Sequence, residues 1–200
     1  MPQELPELVV PDAAAWRRWL TRHHDNPDGV WLTIAKKGTT KPTRLSYDDA
    51  LVEALCFGWI DGQVRRNDEA TYFQRFTPRR ARSPWSRRNV EIAEKLIAEG
   101  RMHAAGLAHI ERARSDGRWS AAYDGPASIT VPDDLATALA AQPRAQAMFD
   151  ILTSQNRYAV LYRISQAKRP ETRARRIAEF VAMLADGKTV YPQTKTLGGV

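Results

Sequence analysis

Two hundred residues with 43% hydrophobic content suffice for one well-packed core, or for a core with a helical appendage, and exclude both two large domains and a disordered chain. The formal net charge of +7 invites a nucleic-acid reading, but the cations are mostly arginine and alanine is abundant, which coding bias alone would also produce. A single cysteine, Cys56, excludes an internal disulfide framework, and no apolar run approaches the length of a membrane span.

Residues 1–11 carry Glu4 and Glu7 with no cationic start, so the expectation is a cytoplasmic chain. Residues 12–22 predict a short helix with Trp16, Trp19 and Leu20 on one side, followed by a turn at Asn26-Pro27-Asp28-Gly29. Residues 30–36 alternate as a strand, with Val30, Leu32 and Ile34 on one face and Trp31 and Ala35 on the other. Ser46 with Asp49 forms a capping box that opens a helix. Val52, Leu55, Cys56 and Trp59 then share its buried stripe, and Gly58 is placed to end it.

After an Asp61-Gly62 turn, residues 63–66 and 71–77 read as a hairpin that pairs with the first strand, giving a small antiparallel sheet. Ser83 and Pro84 suit the N-cap and first position of a helix over 85–99, and a second helix runs over 102–115. Residues 119–128 are irregular. Beyond Pro132 the pattern is wholly helical, over 133–141, 144–153, 156–168 and 171–186. The fold class expected is α+β, a small antiparallel sheet packed with helices and followed by a C-terminal helical module. The boundaries are 1–125 for the body, 126–188 for the module and 189–200 for a flexible tail.

Chemistry concentrates in two stretches. Leu55-Cys56-Phe57-Gly58-Trp59-Ile60-Asp61-Gly62 holds a thiol, an indole and an acid beside turn signals; Phe76-Thr77-Pro78-Arg79-Arg80-Ala81-Arg82-Ser83-Pro84-Trp85-Ser86 holds an arginine cluster and a second indole. From Arg75 to Arg88 there are six arginines and no acid. A helix starting near Ser83 to Ser86 presents free amides, and guanidinium groups beside them make a natural anion site; the alternative is a solvated loop with its charges spread outward. Asp61 reads either as a turn acid or as a general base and arginine partner at the mouth of a pocket. Lys36 and Lys37 either join that site or mark a strand edge.

Cys56 lies near the C-terminal end of its helix, on the apolar stripe, where a thiolate is disfavoured, so it reads as a core residue. The four histidines are His23, His24, His103 and His109, and neither pair has the i, i+4 spacing of helical metal ligands, so no metal is expected. No phosphate-binding glycine loop occurs, and no cofactor is expected.

Together with the run Ala167-Lys168-Arg169-Pro170-Glu171-Thr172-Arg173-Ala174-Arg175-Arg176-Ile177, the two central stretches give a chain that resembles the bacterial YdeI/OmpD-associated, or bacteriocin-protection, family over about 16–188. The resemblance implies a role in stress or bacteriocin tolerance, and its name alone suggests association with an envelope protein. The expected activity is binding of a small anionic or aromatic ligand by Lys37, Trp59, Asp61, Arg79, Arg80, Arg82, Ser83, Trp85 and Ser86. Two alternatives stand beside it: an enzyme with Asp61 as catalytic base and the Arg79 to Arg82 cluster stabilising negative charge, and a weak nucleic-acid binder that stacks bases on Tyr72, Phe73 and Trp85.

Overall fold

The computed structural model describes residues 5–126 and 128–197, which fall into two compact units, Met1–Ala122 and Tyr123–Val200. The architecture is α+β. In the N-terminal unit, β1 (Glu7–Leu8), β2 (Val30–Ala35), β3 (Trp59–Arg66) and β4 (Thr71–Pro78) form a sheet ordered β1-β2-β4-β3. The sheet is mixed rather than wholly antiparallel, because the two-residue β1 pairs in parallel with β2. A strand that short carries no readable alternation, which is why periodicity does not reveal it.

The helices α1 (Ala13–His23), α2 (Tyr47–Cys56), α3 (Arg87–Ala98) and α4 (Ala104–Ser115) each begin at a side chain that accepts a backbone N–H. Asp12 accepts from Ala15, Ser46 from Asp49, Ser86 from Asn89 and the His103 ring from Ala105. Core burial follows the expected faces. Val30, Leu32 and Ile34 of β2 point inward, as do Trp16 and Leu20 of α1 and Leu55 and Cys56 of α2. The Trp16 indole stacks on Trp19 at 5.2 Å and donates to the Ala50 carbonyl at 3.1 Å, which fixes α1 against α2. Gly106 lets α4 reach the end of α2, since a Cβ there would sit 2.3 Å from the Cys56 carbonyl oxygen.

Three expectations change. Helix α2 stops at Cys56, where Gly58 takes φ +77°, and Trp59 starts β3 instead of completing the helical stripe. Asp61-Gly62 is not a turn: both residues lie inside β3, where a bulge shifts the register between Asp61 and Val64. Helix α3 starts at Arg87 with Ser86 as cap, because the Ser83 hydroxyl instead accepts the Arg80 N–H within the preceding turn.

The C-terminal unit is helical: α5 (Asp133–Ala140), α6 (Pro143–Asp150), α7 (Ser154–Ser165) and α8 (Pro170–Ala185) enclose Leu135, Leu139, Met148, Phe149, Val160, Ile164 and Leu184. Tyr191 and Gln193 are hydrogen-bonded to α7. The buried Asn156 amide accepts from the Tyr191 N–H at 2.8 Å and donates to the Tyr191 carbonyl at 3.0 Å and to Gln193 at 2.9 Å. Residues 198–200 of that tail lie outside the described residues.

Candidate functional site

The residues singled out by sequence separate into three groups. Trp59 is wholly buried; its indole N–H donates to the His24 carbonyl at 2.9 Å, and Trp16 and Trp19 meet it edge to face. Trp85 is buried as well. The Arg79 guanidinium lies over its ring at 3.6 Å and donates to the Pro84 carbonyl at 3.0 Å, while the Arg79 N–H bonds the Gly58 carbonyl. Neither indole therefore offers an open wall to a ligand, and Arg79 is itself only 4% exposed. Arg80 and Arg82 are exposed on the turn, the Ser83 carbonyl accepts from Arg118 at 2.8 Å, and the Ser86 hydroxyl is committed to its cap.

Lys37 is exposed beyond the far end of β2. The register pairs Val30 with Phe76 and Ala35 with Thr71, so the arginine turn follows one end of the sheet and Lys37 the other. At about 3.3 Å per residue the two are roughly 20 Å apart. The stacking residues of the nucleic-acid reading are largely covered too: Trp85 and Phe73 are buried and Tyr72 is half-buried.

Asp61 opens onto a recess. The space, about 490 Å³, is lined by Tyr47, Asp61, Gly62, Val64, Tyr72 and Gln74. The bulge in β3 builds it: the buried Gln74 amide donates to the Gly62 carbonyl at 2.9 Å and the Gln63 carbonyl at 3.3 Å, filling the place where strand pairing is interrupted. Tyr47, the first residue of α2, donates its hydroxyl to Asp61 Oδ2 at 2.9 Å. Burial, and then the Asp61 charge, push the Tyr47 pKa well above its ordinary value, so the phenol stays a proton donor. Tyr72 is raised by burial and by Asp48. The Arg88 guanidinium lies 5.6 Å from the Tyr47 ring centroid and pairs with Asp48 at 2.7 Å, so its charge is partly answered outside the recess.

The wall thus presents one oriented carboxylate, two protonated phenols, a buried amide and the exposed Val64 side chain. Its complement is a flat group carrying a hydrogen-bond donor. Tyr47 and Gln74 escaped the sequence reading, and Tyr72 entered it only as a stacking residue of the nucleic-acid alternative. Tyr72 and Gln74 alternate with the core residue Phe76 on β4, and that period of two was the available sign that they share its face. Among the described residues no group of three or more His, Cys, Asp or Glu side chains is placed to hold a metal ion.

Fold and site together define an α+β unit with an open, acid-bearing recess, continued in sequence by a four-helix unit. Residues 8–109, just over half of the chain, match the family model described as Domain of unknown function (DUF8412), and the chain belongs to that family. Residues 128–187, which span α5 to α8, match the model described as Bacteriocin-protection, YdeI or OmpD-Associated. That likeness rests on the C-terminal helices, whereas both central stretches fall within the span of the other model. No curated protein matches the chain. No solved structure matches it. No helix among the described residues is long and apolar enough to cross a membrane.

Proposed function

We propose that this is a bacteriocin-tolerance-type cytoplasmic protein whose N-terminal unit binds a small aromatic molecule through a hydrogen-bond donor seated on Asp61. The observation that carries the reading is the Tyr47–Asp61 bond at 2.9 Å at the edge of a recess of about 490 Å³. It holds one carboxylate oxygen in place and orients the group toward the opening. Val64, 65% exposed, and Tyr72 supply the surface on which a ring would rest. The lining of this recess holds no cation, so it is not matched to an anionic ligand. Direct contact with an envelope protein has only a family description behind it and forms no part of the proposal.

The test is titration with phenol and benzylamine, following the Tyr47 and Tyr72 ring resonances and the melting temperature, which rises as RT ln(1 + [L]/Kd) for a ligand of the folded state. Both probes should move those resonances in the parent, and Asp61→Asn should weaken benzylamine more than phenol. Equal binding by parent and variant would remove Asp61 from the site. A second reading, enzymatic use of the same recess, draws on the same hydrogen bond: Asp61 would accept a substrate proton while Tyr47 donates. Asp61→Asn would then abolish turnover while phenol still bound.

A further inference from the structure

The basic run near the C-terminus divides into side chains with quite different partners. Arg173 is consumed by Asp134, to which it donates from Nε at 2.6 Å and from Nη2 at 2.9 Å. Arg175 lies 3.7 Å from Glu179 one turn along α8. Arg176 turns toward α7 instead, where its Nη1 donates to the Arg163 carbonyl, and neither Arg163 nor Arg176 has an ion pair among the described residues. Between them lies a recess of about 410 Å³ lined by Tyr162, Arg163, Gln166, Arg176, Glu179 and Phe180.

We propose that this recess is a second binding site, for a small planar aromatic anion. Two rings and two unpaired guanidinium groups meet in one opening, and a flat molecule bearing a carboxylate or phosphate satisfies both at once. The Tyr162 ring is held for that purpose: Tyr123 meets it edge to face at 5.0 Å and Tyr158 stacks on it at 5.6 Å. Phe180 packs against the helical core behind it, so both walls are set before a ligand arrives. The Arg176 contact with the Arg163 carbonyl orients its guanidinium without neutralising it. Glu179, the one acid of the lining, has Arg175 beside it on the outer surface, which reduces its repulsion of an anion. This chemistry differs from that of the Asp61 recess, whose lining holds an acid and no cation.

The experiment titrates the full chain with phenyl phosphate and, separately, benzoate, following the aromatic side-chain resonances. Saturable shifts at Tyr162 and Phe180 are expected, together with saturation transfer from the ligand ring to both. Arg163→Gln with Arg176→Gln should weaken phenyl phosphate by about tenfold or more, the loss of charge-assisted hydrogen bonds. Arg163→Gln alone, at an exposed side chain whose backbone contact survives, should weaken it in the same direction. Lys188→Gln, at an exposed cation paired with Asp186 beyond the end of α8, should leave it within about twofold, as should Asp61→Asn, so that failure of this site and failure of the Asp61 site read separately. Absence of saturable binding for both probes, or an equal loss on Lys188→Gln and Arg163→Gln, overturns the proposal.

Discussion

The guanidinium of Arg79 lies 3.6 Å from the centre of the Trp85 ring, inside the core of the N-terminal unit. A desolvated stack of this kind is worth about 2 kcal/mol, and Arg79 adds the Pro84 carbonyl bond that closes the turn. Arg79→Ala should therefore cost about 2–4 kcal/mol in chemical denaturation, through the lost stack and the gap left around Trp85. Arg80→Ala and Arg82→Ala, at exposed positions, should stay within about 0.5 kcal/mol. Equal effects at all three would show that the stack contributes nothing.

Glu53 is 7% exposed and is gripped from two directions, by Arg17 of α1 at 2.6 Å and by Arg101 of the α3–α4 connection at 2.7 Å. Arg17 also donates to the Arg101 carbonyl at 2.9 Å, so one carboxylate ties three segments together. Both arginines are more than a third exposed, and solvent weakens the attraction; Glu53→Ala is expected to cost about 2–3 kcal/mol, below the full penalty for breaking a buried pair. Urea denaturation of Glu53→Ala and of the Arg17→Ala, Glu53→Ala double variant checks this. A double variant no less stable than Glu53→Ala alone is the expected sign of coupling.

The sequence was legible where structure is set within a few residues. Ser46 and the apolar faces of α1 and β2 follow from capping and periodicity, which act over one or two turns. Cys56 behaves as its position on the stripe implied: it is wholly buried, and burial is the main cause raising its thiol pKa. What stayed hidden depends on partners distant in sequence. Asp61-Gly62 reads locally as a turn, and becomes a bulge only because Gln74 of the neighbouring strand fills the gap. Lys37 and the arginine turn resembled one site until strand register placed them at opposite ends of the sheet. Arg79 looked like part of an exposed cluster, and its burial follows from where Trp85 packs.

Asn156 supplies a third test. It is 1% exposed and makes three side-chain hydrogen bonds to residues 191–193. Asn156→Ala leaves the Tyr191 N–H without its partner beside the helical core, although the Tyr191 carbonyl keeps the Thr189 hydroxyl, and should destabilise the C-terminal unit by about 2–3 kcal/mol. Proteolysis after residue 188 should accelerate with it. If the cleavage rate there matches that of the parent, the segment is held by Val190 and Leu197 packing rather than by the asparagine.

His103 gives a pH dependence of definite sign. Its Nδ1 accepts the Ala105 N–H at 3.3 Å to start α4, and its ring stacks on Phe57 and meets His24 edge to face at 4.7 Å. Desolvation first, then the His24 and Arg17 charges, lower its pKa from an ordinary 6.5. The unfolded chain therefore binds the proton more readily than the folded one. Stability from this group is complete above pH 6.5 and is lost as pH falls through the depressed folded value, where the protonated ring can no longer accept and adds a cation at a helix N-terminus. His109, also lowered by burial, contributes in the same direction, so the test must isolate one residue. Asn is a good cap that does not titrate. Denaturation midpoints of the parent should fall on acidification from pH 7.5 to 5, and those of His103→Asn should fall distinctly less. Identical slopes in the two proteins would mean that the His103 ring is not what α4 starts from.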